Sequence, residues 1–71
     1  MPRKLRELRA NLRRAGFVLD HQTGSHQIWK HPSLPGAQVN LAGHDGQDAK
    51  RYQERDVTDT IARVKVREGD N

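Results

Sequence analysis

The chain has 71 residues and no cysteine, so a single small domain is expected, and neither a disulfide framework nor a thiolate zinc site can exist. Val, Ile, Leu and Phe number only 14, a thin core; no apolar run reaches transmembrane length, and the basic N-terminal stretch lacks the apolar segment of a signal peptide. Charge is uneven: seven Lys/Arg against Glu7 and Asp20 give residues 1–31 a net +5, whereas residues 32–71 carry a net −1, so the phosphate-attracting potential belongs to the first half.

Residues 3–15 read as a helix, because Leu5, Leu8, Leu12 and Ala15 form one apolar stripe at i, i+3, i+7 and i+10. Arg3, Lys4, Arg6, Arg9, Arg13 and Arg14 take the remaining positions, and Arg13 and Arg14 complement the negative end of the helix dipole. Gly16 stands where a left-handed residue ends a helix, with Phe17 placed to pack back on Leu12 in a Schellman ending. Phe17 to Gln22 reads as a strand, Thr23-Gly24 as a tight turn, and His26 to His31 as the second strand of a hairpin. Two prolines and a glycine make residues 32–36 a loop. Ala37, Val39 and Leu41 alternate with Gln38 and Asn40, the pattern of a third strand with one buried face.

Gly43-His44-Asp45-Gly46 is a polar turn, and Lys50 to Tyr52 reads as a turn before the last element. Val57, Ile61 and Val64 then follow i, i+4 and i+7, which favours a helix over Gln53–Val66 despite its many β-branched residues. Residues 67–71 are expected to be a frayed tail. The order is α-β-β-β-α, an α+β domain over residues 1–71, with two helices covering one face of a three-stranded antiparallel sheet. Trp29 is expected on the covered face as core, although a base-stacking role is open to it. His26 then lies on the free face, with Ile28 and Leu19 partly exposed.

Gly24-Ser25-His26 is the segment best suited to chemistry. Gly24 allows close approach of backbone to a phosphate, Ser25 can hydrogen-bond it, and an imidazole titrates near neutrality and serves as proton acceptor or donor. The tripeptide by itself also reads as a surface histidine ending a turn. With a Thr23-Gly24 turn, His21 lies directly across from His26, as a hairpin pair, a phosphate contact or a second acid–base group. His21, His26, His31 and His44 lack the i, i+4 spacing of a helical zinc motif, so no metal and no other cofactor is indicated. His31 reads as a strand-end residue, and His44 carries no assigned role.

These segments together, Leu8 to Leu12, Ala15-Gly16-Phe17, Gln22 to His26 and Trp29-Lys30-His31-Pro32, resemble the HicA (YcfA-like) toxins of bacterial and phage toxin–antitoxin modules. The resemblance covers roughly residues 4–41; the Tyr52–Val66 segment stands where that family has a Leu-rich final helix. It implies a double-stranded-RNA-binding-domain-like fold, mRNA interferase activity, neutralisation by a HicB antitoxin, and the catalytic role for His26. The expected function is therefore a cytoplasmic endoribonuclease that cleaves mRNA without metal. Gly24, Ser25, His21, Lys30, Arg6, Arg9 and Arg13 would contact RNA. A non-catalytic RNA-binding module of the same fold, or a small domain whose basic helix docks an acidic protein, remain as alternatives.

Overall fold

The computed structural model describes residues 2–69. Helix α1 (Leu5–Arg14) is followed by strands β1 (Val18–Thr23), β2 (His26–Lys30) and β3 (Gln38–Ala42), and then by helix α2 (Arg51–Arg67). The strands form one antiparallel sheet in the order β1-β2-β3. This is the α+β arrangement that the element order suggested, and it is consistent with the double-stranded-RNA-binding-domain-like fold that the resemblance implies.

The apolar stripe of α1 turns inward: Leu5, Leu8 and Leu12 join Phe17, Trp29, Val39, Leu41, Val57 and Val64 in one core between helices and sheet. Lys4 offers no side-chain cap, so the first N–H groups of α1 find main-chain acceptors instead. Leu5 N–H donates to Gln47 O at 2.9 Å and Arg6 N–H to Asp45 O at 3.1 Å, which ties the helix start to the loop after β3. Its other end closes as a Schellman motif, with Phe17 N–H on Leu12 O (2.9 Å) and Gly16 N–H on Arg13 O (3.0 Å). Gly16 sits at φ +92°, and a Cβ there would lie 2.8 Å from His31 Nε2.

Two expectations for the second half change. Helix α2 begins at Arg51 and not at Gln53, because Lys50 N–H donates to Gln53 Oε1 (2.8 Å) while Gln53 Nε2 donates to Ala42 O (3.2 Å). That buried amide joins the helix start to the end of β3, so Lys50 is the cap and Arg51-Tyr52 the first turn. Thr60, not Ile61, completes the fully buried stripe with Gln53, Val57 and Val64. At the far end α2 runs to Arg67, and Ser33 Oγ donates to Glu68 Oε2 at 2.9 Å. Of the tail 67–71, residues 70 and 71 lie outside the described residues.

Both helices pack on the face that carries Trp29, Val39 and Leu41. Alternation sends His26, Ile28 and Lys30 of β2, with Gln38, Asn40 and Ala42 of β3, to the other face, which no element among the described residues covers. Leu19 is half exposed as expected. Ile28 is not: it is 9% exposed, since it sits on the middle strand between His21 of β1 and Asn40 of β3.

Candidate active site

The hairpin loop is Gly24-Ser25, one residue beyond the expected Thr23-Gly24 turn. Gly24 takes φ +59° at the first central position, and Ser25, like every non-glycine among the described residues, does not have positive φ, the requirement of a type II′ turn. Gln22 Nε2 braces the turn by donating to Gly24 O at 2.8 Å. The shift changes the pairing: His26 faces Thr23 across the ladder, and His21 faces Ile28. The direct His21–His26 pair is therefore replaced by a diagonal relation on the same open face. His26 is solvent-exposed at the start of β2.

The register slips between Leu19 and His21, leaving Asp20 as an extra, unpaired residue in β1. Its carboxylate accepts from His21 Nδ1 at 2.7 Å and lies 3.5 Å from Lys30 Nζ. The His21 hydrogen bond, with Lys30 nearby, holds the Asp20 carboxyl below the usual carboxylate range. A carboxylate only accepts, so His21 Nδ1 carries a proton, and Nε2 is left to partners other than Asp20. Asp20, His21, His26 and Lys30 thus share one face of the sheet.

The cations of α1 do not share it. Arg9 is 5% exposed and turned into the molecule, where Nη1 meets Asp45 Oδ1 at 2.6 Å and Nη2 donates to Gly43 O (2.8 Å) and Ser25 O (3.3 Å). Its expected phosphate contact is corrected to an internal strut that binds α1 to the hairpin turn and the loop after β3. Arg6 is exposed at that same end of the helical layer, since its N–H bonds to Asp45 O. Arg13 lies over the Trp29 ring at 5.2 Å, and that ring is 1% exposed, so Trp29 is core. Beside the turn, opposite the side that carries His26, is a cavity of about 270 Å³ lined by Gln22, Gly24, Ser25, Gln27, His44 and Asp45, with Arg9 at its wall. His44, given no role from sequence, therefore lines the same cavity as Ser25.

The family model described as "HicA toxin of bacterial toxin-antitoxin" matches residues 5–63. The chain belongs to the HicA toxin family. The match takes in α1, the whole sheet and most of α2, so the likeness runs well past the segment 4–41 in which its motifs are legible. No curated protein and no solved structure matches the chain. No helix among the described residues of this HicA-family protein is long and apolar enough to cross a membrane. No group of three or more metal-binding side chains gathers among them either.

His31 is the residue that sequence reasoning placed least well. It is 5% exposed, stacks edge-on against Phe17 at 4.9 Å, donates from Nε2 to Ala15 O (3.0 Å) and accepts Ser33 N–H at Nδ1 (3.0 Å). Both ring nitrogens are thereby occupied, and the imidazole locks the end of α1 to the end of β2. The signal was present in Gly16, whose missing Cβ makes room for that ring.

Proposed function

We propose that this HicA-family chain is a cytoplasmic endoribonuclease that cleaves mRNA by metal-independent acid–base chemistry at His26 and is held inactive by a HicB-like antitoxin. The observation that carries the reading is the exposure of His26 on an uncovered sheet face, at the end of a Gly-Ser turn, in a chain of this family. RNA brings its own nucleophile. The 2′-hydroxyl attacks the adjacent phosphorus, a positioned base takes its proton, and the leaving 5′-oxygen receives one. His26 accepts the 2′-hydroxyl proton. Gly24 lets the strand approach the turn, Ser25 hydrogen-bonds a phosphate oxygen, and Lys30 neutralises negative charge on the same face. Arg6 and Arg13 on the helical layer draw the flanking RNA by long-range attraction.

The test is His26→Ala. The side chain is exposed, so the thermal midpoint should hold within the narrow range of surface changes. Cleavage should fall by about 10²–10⁴-fold, growth arrest on induction should disappear, and RNA binding should persist. The wild-type product should end in a 2′,3′-cyclic phosphate or the 3′-phosphate from its hydrolysis, with EDTA present, and 2′-deoxy substitution at the cut should abolish cleavage. A folded His26→Ala variant that still cleaves would sink the proposal in favour of a binding module.

A further inference from the structure

We propose that His21 is a second catalytic residue, the proton donor to the leaving 5′-oxygen, and that Asp20 is its positioning residue. The inference rests on the ribonuclease reading of His26 and deepens it. Its origin is the hairpin register together with the irregularity in β1. The Gly24-Ser25 turn pairs Thr23 with His26, Gln22 with Gln27 and His21 with Ile28, which places two imidazoles on the open face. Continued without a break, the same register would set Asp20 opposite Trp29 on the helix-covered face. One extra residue prevents this: Leu19 pairs with Trp29, and the Asp20 carboxylate meets His21 and Lys30. The turn brings the two imidazoles together, and the bulge gives one of them a carboxylate.

Their spacing suits one phosphodiester. His26 precedes Ile28 by two residues, so it is the diagonal neighbour of His21, a relation of roughly 7–8 Å between backbones. Ile28, nearly closed off from water, forms an apolar floor between them. Attacking and leaving oxygens stand on opposite sides of the phosphorus in an in-line displacement, so two proton-transfer groups must flank it. The second is found across the strand.

Asp20 decides which imidazole does which task. Its carboxylate holds His21 Nδ1–H at 2.7 Å, which fixes the ring and leaves Nε2 to face outward. His21 is 63% exposed, so the outward nitrogen is open to substrate. His26 has no such carboxylate partner among the described residues. The step then balances. The 2′-oxygen gives its proton to His26 and bonds to phosphorus; the P–O5′ bond breaks with its electron pair on O5′, which takes the proton of His21. Besides Asp20, His21, His26 and Lys30, this face presents only uncharged side chains among the described residues, Gln38, Asn40 and Ala42 from β3 included.

The experiment compares ordinary RNA with RNA carrying a 5′-bridging sulfur at the cut, a leaving group that departs without protonation. His21→Ala should cut ordinary RNA about 10²–10⁴-fold more slowly yet cut the sulfur substrate at close to the wild-type rate. His26→Ala should fail on both. Asp20→Asn should show a milder loss, relieved by the same sulfur substrate, and should displace the basic limb of the pH–rate profile. His21→Ala that cuts ordinary RNA normally, or that loses equally on both substrates, overturns the proposal. His26→Ala that stays active overturns instead the reading on which it rests. If His21→Ala does not fold, His21→Gln, which keeps bulk and polarity, gives the same two-substrate comparison.

Discussion

Replacing Arg9 with Met should unfold this protein far more readily than the same change at Arg6. The guanidinium of Arg9 makes three hydrogen bonds, to the Asp45 carboxylate and to the carbonyls of Gly43 and Ser25. A hydrogen bond involving a charged group contributes about 1.5–3 kcal/mol, but the three are not additive here. Asp45 is 68% exposed, so water replaces its lost partner at little cost. The two carbonyls border a cavity of about 270 Å³, which admits water, so they too are partly rehydrated. The Nε of Arg9 is buried without a partner, and its removal returns a little stability. The net expectation for Arg9→Met, which keeps the aliphatic packing, is a loss of about 2 kcal/mol. A chain of this length has roughly 4–10 kcal/mol in total, and the midpoint should drop by about 8–16 °C. Arg6→Met, at an exposed position, should stay within about 0.5 kcal/mol of wild type. Thermal and urea denaturation read both. Salt titration of RNA binding supplies the second arm: Arg9→Met should leave its slope intact. An Arg9 variant as stable as Arg6→Met, with a flattened salt slope, would show that Arg9 is a phosphate contact and not a strut.

Changing Arg6, Arg13 and Lys30 together to Gln should lower the slope of log affinity against log salt by about 2 for single-stranded RNA, and an unchanged slope would remove all three from the RNA surface. Gly16→Ala should destabilise by about 2–4 kcal/mol in urea denaturation, because it strains a left-handed residue and drives a methyl group onto His31 Nε2. Gly46→Ala is the control: nothing lies within 4 Å of a Cβ there, its φ is not positive, and stability should hold or rise. Asp56 has its carboxyl pushed upward by partial desolvation and by Asp59 one turn along α2. A carboxyl raised in the folded state weakens the fold once pH rises above the unfolded value. Asp56→Asn should therefore raise the midpoint slightly near pH 7, by a few tenths of a kcal/mol, and the gain should vanish as pH falls below the carboxylate range; a gain that persists in acid would assign the effect to packing.

The antiparallel sheet, its covering helices and the Schellman ending at Gly16 are legible in the sequence, because each depends on residues within one or two turns of chain. A turn at Gly24 is legible too, but it falls at Gly24-Ser25, one residue beyond the expected Thr23-Gly24. The apolar stripe of α1 and the Ala37-Val39-Leu41 alternation dictate their buried faces whatever surrounds them. The helix α2 was legible in period but not in its start, since its cap is an amide that also binds the carbonyl of Ala42, 11 residues back. His26 on the open face followed from the choice of Trp29 as core, one residue's parity along β2.

Tertiary structure decided what parity and period leave open. Whether β1 holds a bulge is a choice between two registers that differ by one residue, settled by how both ends of the ladder fit their neighbours. That choice brings the Asp20 carboxylate to His21 and Lys30. On a helix wheel Arg9 is one cation among six, and it is buried because carbonyls 16 and 34 residues along the chain converge on it. His31 is equally ordinary in sequence, and its ring is held by partners at Ala15 and Ser33 that meet only when α1 packs against the end of β2. Local chain chemistry determines which elements form and which faces they bury; the fate of a polar side chain depends on partners that only the folded chain brings within hydrogen-bonding distance.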